Sequence, residues 1–325
     1  MVEKDGMKSR HVIAFFSLRP RNIYLLLVPL IIFLGTHCSS AAQKTIGVIM
    51  TGNIQYYRDM HKGFTDTLAA EGFGPGGVEM IVQSPSPEPM SWTNAARKLV
   101  TVGSSVIVSY GAPATISVMN ETSDIPIVFA GVHGTQALGI TAKNTTGVSS
   151  KVPMEGIIRN LKSIVNFSTL GIVFNDSEKD TVAQANDVKK LEGTYGFKSM
   201  RFNIKKAADT AKIANVGALL LTTGCAPMNC VSNISGIARK SRIPTASVIA
   251  GGETSGIILT ITANPYEQGR EAAKIVARIL KGAKPSSIPI ETPKQIDLIV
   301  NLREATDMGI KVPFDLLTSA TKVIR

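Results

Sequence analysis

Five turns in this 325-residue sequence place small polar residues directly after apolar runs. Their side chains and free backbone N–H groups suit the capture of a small polar molecule. A zwitterion needs donors for its carboxylate and an acceptor or a carboxylate for its ammonium group. Helix N-termini that follow small turns supply such donors at little steric cost. Thr51, Asn53, Tyr110, Gly111 and Ala112 in the first part of the chain stand where those donors should be. Asn175, Ser177, Thr222 and Thr223 stand in the same relation to runs in the second part, and Glu253 is the best acidic partner for an ammonium group. Tyr56, Tyr57 and Tyr110 can stack on an aromatic ligand, although Tyr57 also falls on an apolar helix face, where core packing is the plainer role.

Catalysis has weaker support. Of four histidines, His11 and His37 fall in the N-terminal segment, leaving His61 and His133. Neither has a zinc-type spacing, and there is no Gly-x-Ser-x-Gly and no His-Glu-x-x-His. His133 follows a strand end, where it can line a cleft or serve as an ordinary loop histidine. Cys225 and Cys230 remain once Cys38 is set aside. In an oxidising compartment two cysteines five apart in a loop can form a disulfide, or both can be buried free thiols. Cys-x4-Cys without nearby histidines makes a poor zinc site, so neither metal nor cofactor is expected. The formal charge is +11, of which segment 1–42 accounts for three, leaving +8 spread along the chain. One Trp and no basic stripe interleaved with aromatics argue against nucleic acid.

These turns must be held by strand–helix units. Thr45–Met50 is a short β-branched run of the kind buried on both faces of a sheet. After the turn at 51–53, Tyr57, Met60, Phe64 and Leu68 form a helical stripe that ends at Glu71-Gly72. Strands are expected at 78–82, 106–109 and 125–129, with helices between them. The alternation restarts with a helix after Pro153, then strands at 170–174, 198–204, 218–221, 243–249 and 257–261. Residues 225–230 read as a loop. Asn264-Pro265-Tyr266-Glu267 starts a helix to Lys281: Asn264 caps it, Pro265 suits its first position and Glu267 can reach back to the cap N–H. A last strand runs from 296 to 302. The fold class is α/β, two doubly wound parallel-sheet lobes joined by a multi-strand hinge. Residues 43–147 plus 264–285 make lobe one, 148–263 make lobe two, and 286–325 form a crossing strand and tail of unassigned lobe. The hinge is expected at 146–150, 261–264 and 284–292.

Residues 1–42 have the order of an export signal: basic residues at 4, 8, 10, 19 and 21, an apolar run Ile23–Leu34, then small residues. The run is short for a membrane span. Met1 or Met7 can be the start, and processing can follow Ala42 or lipidate Cys38.

The whole arrangement resembles the type I periplasmic binding proteins. Within them it is similar to the ABC-transporter substrate-binding family whose better-known members take tryptophan, tyrosine or phenylalanine. The matching stretches are Gly63-Phe64, Asp124–Phe129, Gly171–Asn175, and Gly269-Arg270 leading to Ile279–Gly282. Ile288–Thr292 and Val300-Asn301-Leu302 complete the match. The resemblance implies capture of a small ligand, such as an aromatic amino acid, for the permease subunits of an importer, outside the cytoplasm and without catalysis. A sensing receptor of the same fold is the alternative. The sequence departs from the family at Asn175-Asp176-Ser177 and Thr223–Pro227, where relatives more often place Asn-Pro-Ser and Thr-Asp-Asn.

Overall fold

The computed structural model describes residues 43–325. The N-terminal segment, with Cys38 and Ala42, lies outside the described residues. Lobe one begins β1 (Lys44–Met50), α1 (Gln55–Ala70), β2 (Val78–Gln83), α2 (Pro89–Thr101) and β3 (Val106–Tyr110). It continues with α3 (Ala112–Glu121), β4 (Ile127–Val132) and β5 (Thr145–Ser149). Its five strands are all parallel, in the order β2-β1-β3-β4-β5. Helices cover both faces, which is why Ile46, Val48, Ile49, Val106, Ile107 and Val108 are all buried and the strands read as continuous apolar runs.

The second sheet is built from α4 (Met154–Ile164), β6 (Thr169–Phe174), α5 (Lys179–Lys190), α6 (Glu192–Tyr195), β7 (Lys198–Asn203) and β8 (Ala218–Leu221). Then come α7 (Cys225–Asn229), α8 (Val231–Ser241), β9 (Thr245–Ser247) and β10 (Leu259–Ala263). Helix α9 (Pro265–Leu280) returns to lobe one and lies on α1. The chain closes with β11 (Ile296–Asn301), α10 (Leu302–Asp307), α11 (Phe314–Ser319) and β12 (Lys322–Ile324). The strand order is β12-β11-β10-β9-β8-β6-β7, so β11 and β12 belong to the second sheet, where β11 runs antiparallel to β10.

Asn264 caps α9 as its sequence suggests, accepting from the Glu267 amide at 3.0 Å. Glu267 does not complete the reciprocal box. Its carboxylate pairs with Arg270 at 2.8 Å, and the Asn264 amide goes to the Gln295 carbonyl. Helices α1 and α9 meet through two glycines. A methyl group at Gly63 would overlap the Tyr266 carbonyl oxygen, and one at Gly269 the Met60 carbonyl oxygen. Only hydrogens fit between these backbones. The α1 stripe Tyr57, Met60, Phe64 and Leu68 is buried alongside, at about 1.5–3 kcal/mol per large side chain.

The chain passes between the sheets three times, and the crossings are tied together. The Ser149 amide donates to the Glu291 carbonyl and the Glu291 amide to the Gly147 carbonyl, each at 2.9 Å. The Thr146 hydroxyl adds a bond to the Ile288 carbonyl at 2.8 Å. Among the described residues no helix is long and apolar enough to cross a membrane.

Residues 225–229 are helical rather than a loop, and Cys230 caps that helix. Gly224 precedes the helix, and Pro227 sits in its first turn, where a missing N–H leaves nothing unpaired. This corrects the disulfide expectation. Both Cys225 and Cys230 are free and buried. Five residues along a helix separate the Cα atoms by about 8.6 Å and point the side chains apart, beyond the 7 Å or so that a disulfide spans.

Candidate functional site

The strand ends of both lobes face one another, and the lobes touch there. A methyl group at Gly52 would lie 3.2 Å from the Cys225 sulfur, and one at Gly251 3.2 Å from the Gln55 Cβ.

Several residues singled out in the sequence turn out to be committed to the scaffold. Thr51 donates its hydroxyl to the Tyr110 carbonyl at 2.8 Å and accepts from the Ala114 amide, and its own carbonyl takes the Trp92 indole N–H at 2.7 Å. Asn53 is exposed and occupied by Arg58 at 2.7 Å. Tyr110 is buried in lobe one, with its hydroxyl 3.2 Å from His61 Nδ1 and its ring edge-on to Phe64. Gly111 has φ 87°, and a methyl group there would sit 2.6 Å from Thr51 Oγ1 and overlap the Tyr57 hydroxyl. Ala112 is buried in the first turn of α3. In lobe two, the Thr222 hydroxyl bonds the Val173 carbonyl at 2.9 Å. Ser177 closes a local turn by donating its amide to Asn175 Oδ1.

Asn175 and Thr223 instead lead to two carboxylates that sequence reasoning passed over, Glu178 and Asp180. Glu178 accepts from the Cys225 amide at 3.0 Å through both oxygens and from Asn175 Nδ2 at 3.0 Å. It therefore occupies the N-terminus of α7. Asp180, 1% exposed, accepts from the Thr223 hydroxyl at 2.8 Å through Oδ2, while its Oδ1 has no protein partner. Gln184 supports the same corner, accepting from the Thr223 amide at 2.9 Å. Burial pushes the Glu178 carboxyl up to about 7, with the charge of Asp180 adding to the effect against the pull of the amides. Burial raises Asp180 as well, opposed by the Thr223 hydroxyl, by His133 and by the nearby backbone N–H groups of Asp180 and Thr181. The groups facing this pair are Tyr56 and Tyr57 from α1, His133 beyond β4, and Cys225 from α7. Burial, then Glu178 and Asp180, push the Cys225 thiol far up, so it is no nucleophile. A helix start directly after a polar turn was the available signal, because acidic residues there reach helix N-termini.

Across the cleft, the Tyr56 hydroxyl lies 3.2 Å from Ser150 Oγ and accepts from Gln268 Nε2 at 2.7 Å. Glu253 is buried, with Oε2 accepting from the Gly251 amide at 2.8 Å and Oε1 without a protein partner. Beside the crossings, a groove of about 660 Å³ runs from His133 on lobe one to Asp187 on lobe two, past Ser149 and Thr292. His133 Nε2 is 3.5 Å from Asp187, and its buried Nδ1 has no protein partner. Among the described residues no three His, Cys, Asp or Glu side chains are grouped to hold a metal.

This two-lobed architecture is that of the type I periplasmic binding proteins. Among solved structures the chain is similar to a conserved domain protein from Vibrio cholerae O1 biovar El Tor, 23% identical, with TM-score 0.83 over 86% of this chain and 99% of that one. It is similar also to an ABC domain in complex with L-Trp from Streptococcus pneumoniae, 21% identical, with TM-score 0.82 over 87% of this chain and 100% of that one. A ligand-free, open substrate-binding protein with adhesive properties from Clostridium difficile is 21% identical, with TM-score 0.63 over 87% and 99%. No curated protein matches the sequence. The family model described as ABC transporter substrate binding protein matches residues 46–324, and the chain belongs to that family.

Proposed function

We propose that this protein captures a small ammonium-bearing solute of amino-acid size between its lobes and delivers it to the permease subunits of an ABC importer. The observation that carries this reading is Asp180, a buried carboxylate with one oxygen unclaimed by the protein, close to the lobe-one tyrosines. An ammonium group held by Asp180 on lobe two and by groups around Tyr56 on lobe one touches both walls. Only such two-sided contact favours a closed cleft over an open one. The three crossings near 146–150, 261–264 and 284–292 serve as its hinge. Glu253, with its own free oxygen, is a second acidic contact. Of the expected donors, Ala112 is left to act through its backbone at the start of α3, whereas the Gly111 N–H is taken by the Ala130 carbonyl at 2.9 Å. Binding and release without turnover is the activity. The protein works outside the cytoplasm, exported by segment 1–42 and then either free after Ala42 or anchored through Cys38.

A thermal-shift screen tests the reading, with amino acids and amines first, aromatic ones among them, and then sugars and nucleosides. A ligand at 100 times its dissociation constant stabilises by about 2.7 kcal/mol. A response confined to sugars or nucleosides would overturn the ammonium assignment.

A further inference from the structure

Helix N-termini ordinarily attract a ligand's anionic end. In lobe two the α7 terminus is already filled by the chain's own Glu178, held by the Cys225 amide and Asn175. Asp180 stands beside it. A ligand carboxylate arriving at this wall would meet two carboxylates instead of open N–H groups. The inventory of buried charge points the same way. Among the described residues the buried Asp, Glu and His side chains are Glu178, Asp180, Glu253, Glu304 and His133, with no buried Lys or Arg. Glu304 is neutralised elsewhere by Arg239, at 2.6 Å and 2.7 Å. Among the described residues the other three acids pair with no Lys or Arg, and only His133 acts on one of them, Asp180.

An independent observation comes from the unclaimed polar atoms around the start of α1. Asp180 Oδ1, Glu253 Oε1 and Gln268 Oε1 are buried and have no protein partner. The Gln268 amide is oriented by its Nε2 bonds to the Tyr56 hydroxyl and the Ala263 carbonyl, so its free atom is an acceptor. All three atoms therefore call for donors. A buried acceptor left without a donor carries a desolvation cost that a ligand N–H relieves.

We propose that the cleft selects solutes of net positive charge: amines without a free carboxylate, or amino acids with more ammonium groups than carboxylates. This rests on the solute-binding reading and narrows it, because neutral zwitterions become the poorer ligands. Calorimetry with two matched pairs tests it at pH 7.5. Phenethylamine is phenylalanine without its carboxylate, and lysine is norleucine with an added ammonium group. The cationic member of at least one pair should bind tenfold or more tightly than its zwitterionic partner, and Asp180→Asn should remove most of that difference. Asp66→Asn, on the exposed face of α1 beside Lys62, should leave it unchanged. Circular dichroism checks that Asp180→Asn is folded, and the matched pairs on the unaltered protein decide the matter even if it is not. Zwitterions binding as well as or better than the cations, or sugars or nucleosides alone binding, would overturn the charge selection while leaving solute capture standing. Silence from all these compounds would remove both.

Discussion

Replacing Glu178 by Gln should take a pH dependence out of the stability of the ligand-free protein. The folded-state value of about 7 stands above the ordinary 4.5, so the fold holds this proton more tightly than the unfolded chain does. The stabilisation is fully present below about pH 4.5 and is lost as pH rises through about 7. At about 1.4 kcal/mol per pH unit of separation the whole effect is about 3 kcal/mol. Linkage places about 2–3 kcal/mol of it between pH 5 and pH 8. Gln keeps an acceptor for the Cys225 amide and Asn175 but cannot ionise, so any cost of its NH₂ group is the same at both pH values. Urea unfolding of both proteins at pH 5 and pH 8 gives the result as a difference of differences: the variant gains about 2–3 kcal/mol on the parent between the two conditions. Parallel pH–stability curves would refute the reasoning. They would mean that the amides of α7 hold the carboxylate ionised and that burial does not dominate.

Affinity for an amine should rise from pH 6 to pH 8 as Glu178, held up to about 7 by burial, loses the proton a cation would displace, with proton release detectable by calorimetry in buffers of different ionisation enthalpy. Gly63→Ala or Gly269→Ala should destabilise by about 1–3 kcal/mol through overpacking, seen as a lower Tm in calorimetry. An unchanged Tm would show that α1 and α9 can part without cost. Gly111→Ala should cost about 1–2 kcal/mol for its left-handed backbone alone. The Tyr57→Phe background should relieve part of any further loss, and equal losses in both backgrounds would exclude the hydroxyl clash. Alkylation under denaturing, non-reducing conditions should modify both Cys225 and Cys230, while native Cys225 reacts slowly; recovery of a linked peptide would contradict the helical geometry.

The architecture was legible because its signals are local. The α1 stripe, the Asn264-Pro265 start of α9 and the β-branched runs of lobe one each depend on residues within one or two turns of each other. The short strand β12 and the helical course of 225–229 were not, because a three-residue strand gains its hydrogen bonds from β11 and α7 is set by what Glu178 brings to it. Of the candidate site, the sequence marks the turns but not how their groups are used: Thr51, Tyr110 and Thr222 spend their polar groups on the scaffold. Asp180 looked like an ordinary charge near the wet start of a helix. Its neighbours, Thr223 ahead of α7 and Tyr56 and Tyr57 on the opposite lobe, are not adjacent to it in sequence.

The paired glycines of α1 and α9 also set the order in which this molecule can be finished. Gly63 and Gly269 are some two hundred residues apart, so the apolar stripe of α1 has no permanent cover until nearly the whole chain is available. Closing a loop of that length is slow compared with forming the local units inside it. Lobe two, apart from β11 and β12, is contiguous and can consolidate first. A chain growing from its N-terminus therefore exposes Met60, Phe64 and Leu68 for most of its synthesis, and such surface is what holding factors bind and what aggregates in their absence. The same delay keeps the first lobe threadable. A protein with this connectivity is suited to passing through a narrow channel as an extended chain and completing its N-terminal half last.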